Sequence, residues 1–154
     1  MARLVVALVA IHALRKTELT QLHLADLDLA RGRLTVHRSV GRHIVYLDQL
    51  THAFATAWLG ERRRRWPHTS NPYLLVSQQS AVDSTPSPVT VPVIDHCFWP
   101  LGVSPSQLRQ DRILDEARHS ADPVRLMRVF GLSDTTAMKY LYTAHPERQS
   151  MPTR

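Results

Sequence analysis

The chain opens on Leu4-Val5-Val6-Ala7-Leu8-Val9-Ala10-Ile11, an unbroken apolar run with only Arg3 as a charge ahead of it. A segment that is apolar on every side cannot lie on a surface, so the remaining chain has to fold around it. It is too short to cross a bilayer, which takes about 20 residues in a helix. A secretion signal has a similar apolar centre but carries a cationic stretch in front. Here a single arginine precedes the run, which continues directly into the amphipathic segment Arg15 to Leu24. The reading is a buried helix over Leu4–Leu14 in a cytoplasmic protein without a membrane partner. With 154 residues and 44% hydrophobic content, the chain can close one core around that helix.

Punctuation sets the remaining elements. Ala30-Arg31-Gly32 breaks the helical pattern after Thr17–Leu24. Arg33–Arg38 and Arg42–Leu47 then alternate as two strands across Ser39-Val40-Gly41, a hairpin with glycine at the turn. Asp48 or Thr51 caps a helix that runs to about Trp66. Tyr73–Val76 reads as a third short strand, and Ser77–Pro92, rich in Ser, Pro and Gln, reads as a mobile surface loop. Val93–Leu101 reads as one helix ended by Gly102. Ser104-Pro105 and Asp122-Pro123 both carry the cap-then-proline signature of a helix start. They open helices from Ser106 to about His119 and from Val124 to Phe130. Gly131 stops the second, and Ser133 caps a last helix through about Tyr142. The expected fold class is α+β, a mostly helical single domain with a small β-hairpin or three-stranded sheet, spanning residues 1–145 with a flexible tail over 146–154.

The net charge is +6, and Lys16 and Lys139 are the only lysines, so arginine supplies the excess. A basic surface favours a polyanion, and the planar guanidinium fork suits phosphate. One cysteine, Cys97, excludes an internal disulfide and any CxxC site. The nine histidines show no HxH or HExxH spacing, so neither a metal nor another cofactor is expected.

Three residues stand in contexts that phosphodiester chemistry can use. Arg15 lies in Ala13-Leu14-Arg15-Lys16-Thr17-Glu18-Leu19, Arg109 in Gln107-Leu108-Arg109, and Tyr140 on the last helix. Metal-free cleavage of a phosphodiester needs a nucleophile in line and permanent cations on the non-bridging oxygens. It also needs a proton for the departing 5′ oxygen. Tyrosine serves because its phenolate is also a leaving group, which makes the covalent step reversible. Arginines serve as a clamp because their donors are fixed in geometry.

These segments, with the hairpin Leu34–Leu47 and the turn Phe130-Gly131-Leu132-Ser133, resemble the catalytic domain of tyrosine recombinases, the phage-integrase family, from about Leu4 to Tyr140. The resemblance implies DNA strand breakage and rejoining on duplex DNA through a 3′-phosphotyrosine, by a homo-oligomer on DNA in a phage or bacterial mobile element. It implies Arg15 and Arg109 as the clamp, Glu18 as the acidic residue behind the first arginine, and Tyr140 as nucleophile, with Tyr142 as the alternative. Several family positions differ here. The hairpin lysine that acts as general acid is absent, with Arg38 or Arg42 nearest. Ser106 stands for the histidine three residues before the second arginine, Gln110 for the one after it, and Leu132 for the histidine or tryptophan after the glycine. Arg38, Arg42, Ser106, Arg112 and Lys139 are the expected DNA contacts. The helical DNA-clamping domain that precedes this domain in the family is not among these residues, and it is expected to be lost or encoded upstream.

Plainer readings compete with this one. Arg15 and Glu18 stand at i,i+3 and can form a solvated ion pair. Arg62–Arg65 reads as a solvated cationic surface, and His96 with Cys97 as packing. The stretch Asp122–Tyr142 can also be a helix-turn-helix, which would make the chain a catalytically inactive DNA-binding remnant.

Overall fold

A computed structural model describes residues 1–39 and 41–150; Val40 of the expected hairpin turn and residues 151–154 of the expected tail lie outside the described residues. The apolar run forms α1 (Ala2–Ala10), with Leu4, Val5, Leu8 and Val9 buried. The expected continuation to Leu14 does not form. The amides of Ala13 and Leu14 turn back to the carbonyls of Val9 and Leu8, at 3.0 and 3.1 Å, and Ala13 takes a left-handed φ of 56°. An L-residue held there costs about 1–2 kcal/mol, so surrounding packing fixes the turn. Short α2 (Lys16–Thr20) follows.

Strands β1 (Leu27–Asp28), β2 (Arg33–Arg38) and β3 (Gly41–Tyr46) form an antiparallel sheet in that order. The register Leu34↔Val45 and Val36↔His43 turns Leu34, Val36 and Val45 inward, as strand alternation requires. The third strand is therefore β1. Tyr73–Val76, expected in that place, makes only an isolated bridge from Tyr73 to His23. It is held by side chains of α3 (Gln49–Arg65). Trp58 Nε1 donates to the Leu74 carbonyl at 2.9 Å, and Arg62 Nη2 to those of Asn71 and Tyr73 at 2.6 and 3.1 Å. Arg62 is thus 7% exposed, which corrects the solvated reading for the first member of the arginine run. Asp48 caps α3 through the amides of Leu50 and Thr51.

Ser77–Pro92 is not a structureless loop. It contains α4 (Gln78–Val82), with Ser77 and Ser80 capping each other, and Asn71 Nδ2 donates to the Ser80 and Ser87 carbonyls. The single helix expected over Val93–Leu101 is divided into α5 (Val91–His96) and a 3-10 turn over Trp99–Leu101. Pro100 has no amide to continue the α ladder. The last three helices follow their punctuation: α6 (Pro105–Ser120) capped by Ser104, α7 (Pro123–Phe130) capped by Asp122, and α8 (Asp134–Ala144) capped by Ser133. Beyond them, Pro146–Ser150 winds into a 3-10 turn. Arg148 Nη1 donates to the Ala121 carbonyl, so the expected flexible tail is anchored at its start.

Two apolar clusters result. The larger gathers α1, the inner sheet face, Leu74–Val76, Ile94 and Phe98. The smaller joins Ile113 and Ala117 of α6, Leu126 and Phe130 of α7, and Ala137 of α8. Leu14 belongs to the first and Ala13 to the second. The segment between α1 and α2 is therefore the seam between the clusters, and Arg15 follows it directly.

Candidate active site

Arg15 is extended (φ −84°, ψ 152°) at the start of α2. Its amide donates to Glu18 Oε2 at 2.9 Å, which fixes the turn from the seam into the helix. The Glu18 carboxylate does not pair with the Arg15 guanidinium as the plain surface reading had it. Arg38 takes it instead, with Nε 2.7 Å from Oε1, which leaves the Arg15 guanidinium for the cleft beside it. That cleft, about 290 Å³, is lined by Arg15, Lys16, Thr17, Ser106, Arg109 and Gln110 among others.

Arg109 enters from α6, and its Nε donates to the Ala13 carbonyl at 2.8 Å. The left-handed turn at Ala13 is what exposes that carbonyl to α6. Both arginines are thus registered on one short segment, Ala13–Arg15. Burial lowers the Arg109 pKa from its ordinary value; Arg15 and Arg38 lower it further, while Tyr140 and Glu18 raise it. Those five side chains share one electrostatic neighbourhood. A guanidinium has room to fall and remain charged at neutral pH, so the cleft holds two permanent cations.

Tyr140 lies on α8, half-buried against the smaller cluster. It lines a neighbouring groove of about 460 Å³ with Gln107, Gln110, Asp111, Thr136 and Lys139. Gln110 lines both cavities, so the tyrosine groove adjoins the arginine cleft. Tyr142 lines neither; two positions along a helix are about 200° apart, so it faces away from Tyr140.

The structure gathers Arg15, Arg109 and Ser106 at the cleft and Tyr140 and Lys139 at the groove. Arg42 is exposed on β3. Two expected DNA contacts are hydrogen-bonded within the protein. Arg112 donates from Nε to the Ile11 carbonyl and from Nη2 to Glu116, and stacks over Phe130 at 5.1 Å. It ties α6 to the end of α1 and to α7. Arg38 is 14% exposed, with all three of its nitrogens hydrogen-bonded to Glu18 or to the carbonyls of Phe130 and Gly131. Lys16 and Gln110, absent from the expected site, line the cleft because they follow Arg15 and Arg109 by one residue. Lys16 Nζ also pairs with Asp95 at 3.0 Å. Among the described residues no group of three or more His, Cys, Asp or Glu is placed to hold a metal ion, and no helix is long and apolar enough to cross a membrane.

No family model and no curated protein matches the chain. Solved structures do. XerA recombinase aligns over 99% of this chain and 60% of its own, with a TM-score of 0.73 and 24% identity. XerH site-specific recombinase bound to difH substrate, in a pre-cleavage complex, aligns over 97% of this chain and 45% of its own, at TM-score 0.72 and 19% identity. The Tn1549 transposon integrase in complex with transposon right end DNA aligns over 96% and 58%, at TM-score 0.62 and 15% identity. This chain spans between 45% and 60% of those neighbours' length. With nearly all of its residues superposed and identity this low, the likeness is one of architecture: the chain has the fold of a tyrosine recombinase catalytic domain.

Proposed function

We propose that the chain breaks and rejoins DNA strands through a covalent link to Tyr140, as a tyrosine recombinase of the integrase type. The observation that carries this reading is the convergence of two cations and a phenol. Arg15 and Arg109 line one cleft, and Tyr140 stands in the adjoining groove, with Gln110 lining both. A scissile phosphate in the cleft places its non-bridging oxygens on the two guanidiniums. The Tyr140 oxygen attacks phosphorus and gives up its proton to solvent. An O–P bond forms, the P–O5′ bond breaks, and the 5′ oxygen takes a proton from solvent. The DNA 3′ phosphate remains on the tyrosine, and attack by another 5′ hydroxyl reverses the step onto a new strand. Duplex DNA is the substrate, and the Tn1549 transposon integrase, of the same fold, is in complex with transposon right end DNA. Ser106, Arg42 and Lys139 contact the backbone around the scissile phosphate, and two or more copies assemble on the DNA for exchange.

A general acid contributes about 10²–10⁴-fold. With no lysine on the hairpin to protonate the 5′ oxygen, cleavage is slow, and its product accumulates only when religation is blocked. The test is incubation with a pool of nicked duplexes whose 5′ fragment diffuses away after cleavage, followed by a denaturing gel. A protein–DNA adduct that vanishes in Tyr140→Phe, with binding retained, is the expected result. An adduct that persists in Tyr140→Phe sinks the assignment. No adduct, with salt-sensitive binding, identifies a DNA-binding remnant.

A further inference from the structure

Arg38 is hydrogen-bonded both to the segment that carries Arg15 and to the turn that precedes the Tyr140 helix, and the nucleophile assignment above does not explain why. Its Nε and Nη2 lie 2.7 and 3.4 Å from the two Glu18 carboxylate oxygens. Its Nη1 donates to the carbonyls of Phe130 and Gly131, each at 2.8 Å. Glu18 in turn accepts the amide of Arg15. Gly131 ends α7, and α8 begins three residues later at Asp134. A continuous path therefore runs from the Arg15 backbone through Glu18 and Arg38 to the turn that launches the tyrosine helix.

Only arginine can span this path. Its fork grips a carboxylate from one edge while the remaining nitrogen donates elsewhere, whereas a lysine offers a single nitrogen. The acceptors suit a cation, because the last carbonyls of a helix lack intrahelical donors and carry the negative end of its dipole. The surroundings hold the guanidinium in place. A Cβ built on Gly131 would overlap Arg38 Nη1 and would stand 2.9 Å from the His43 ring. Arg38 side-chain exposure is 14% and that of Glu18 is 9%.

We infer that Arg38 is a positioning residue that sets the Tyr140 helix relative to the Arg15 clamp by bridging Glu18 to the carbonyls that end α7. The inference rests on Tyr140 as nucleophile for its effect on chemistry, but the bridge itself is testable without that reading. A displacement of about 1 Å between reacting groups costs on the order of 10² in rate. Loss of the bridge should therefore appear at the chemical step and not in DNA affinity.

The experiment compares the full chain with Arg38→Met and with the milder Glu18→Gln, which keeps an acceptor for the Arg15 amide. Adduct formation at saturating nicked duplex is measured beside the DNA Kd and the Tm. The expected result is a rate lowered by about 10²-fold in Arg38→Met and by less in Glu18→Gln, with each Kd within about threefold of wild type. An unchanged rate in a folded Arg38→Met overturns the inference, as does a rate loss matched by an equal loss of binding. Amide hydrogen exchange on the same proteins separates the two readings. Arg38→Met should speed exchange in α8 while leaving α3 unchanged, whether or not wild type forms an adduct. Absence of that local effect overturns the bridge. An exchange effect without any wild-type adduct overturns only the nucleophile assignment.

Discussion

Gly131→Ala tests the packing at the end of α7, and an internal control isolates its cause. Gly131 and Gly102 adopt the same backbone, with φ of 60° and 64°, and each ends a helical segment. An L-residue in that region costs about 1–2 kcal/mol. At Gly102 an added Cβ meets nothing within 4 Å, so Gly102→Ala should cost that much and no more. At Gly131 the methyl would collide with the Arg38 guanidinium. The end of an arginine can usually swing aside at little cost. Here it is fixed by Glu18 and two carbonyls, and moving it breaks hydrogen bonds to a charged group, worth about 1.5–3 kcal/mol. The sum predicts about 2.5–5 kcal/mol for Gly131→Ala. Urea unfolding followed by circular dichroism gives both values on one scale, provided the slope with denaturant is unchanged. In an Arg38→Ala background the cost of Gly131→Ala should fall by about 2 kcal/mol, the coupling that a double-mutant cycle reads. Equal costs at 131 and 102, or no coupling to Arg38, would refute the reasoning.

Other predictions concern single groups. Arg62→Met should destabilise by about 2–3 kcal/mol in urea, because it strips the donor from the Asn71 and Tyr73 carbonyls, whereas exposed Arg63→Met should be near neutral. Ala121 ends α6 with φ 48°, so Ala121→Gly should raise stability by about 0.5–1 kcal/mol, the left-handed strain relieved less the entropy glycine adds to the unfolded chain. The His12 and His43 imidazoles both lie below the ordinary pKa, chiefly through burial, and His43 further through Arg38. Below about pH 6.5 the unfolded chain binds protons that the folded chain refuses. Their contribution is therefore full above that pH and lost as the pH falls through it, and the combined His12→Gln, His43→Gln variant should unfold with a flatter pH dependence between pH 7 and 5.

What the sequence made legible was mostly local. The starts of α3, α6, α7 and α8 follow from Asp48, Ser104, Asp122 and Ser133, each of which bonds an amide of its own first turn. The β2–β3 pairing follows from alternation. The misread segments are those where burial, composition or strain conceals the backbone. Tyr73–Val76 looks like a strand because its apolar residues fit a buried extended segment, yet β-propensity registers burial more than ladder pairing. Ser77–Pro92 looks like a loop because its capping residues, Ser77 and Ser80, are also the commonest loop residues. The end of α1 was hidden because alanine at Ala13 gives no hint of a left-handed turn. Arg62 was readable: Thr51, Ala55, Trp58 and Arg62 form one buried helical stripe, and its place on that stripe outranks its membership of an arginine run.

The site divides along the same line. Arg15, Arg109 and Tyr140 could be picked out because each sits in a short context, and the structure brings their helices to adjoining cavities. The role of Arg38 could not, because its partners lie 20, 92 and 93 residues away. On the sequence alone, an arginine at the end of a hairpin strand is a free cation beside the place where a lysine acid is expected. In the fold it is a strut, hydrogen-bonded to Glu18 and to the carbonyls that end α7, and a guanidinium is a poor proton donor. That leaves a cleft rich in fixed positive charge and poor in side chains that can hand over a proton, since of its lining groups only Lys16 carries one on an ammonium, and Asp95 holds it. In the proposed reaction such a site would stabilise charge on phosphorus better than it would release the leaving group. Its rate should consequently depend on the basicity of that group. A 5′-bridging phosphorothiolate, whose sulfur departs without a proton, should be cleaved faster than the ordinary diester by a factor approaching the 10²–10⁴ that an acid supplies. Equal rates on the two substrates would mean that a proton donor is present in the assembled complex after all.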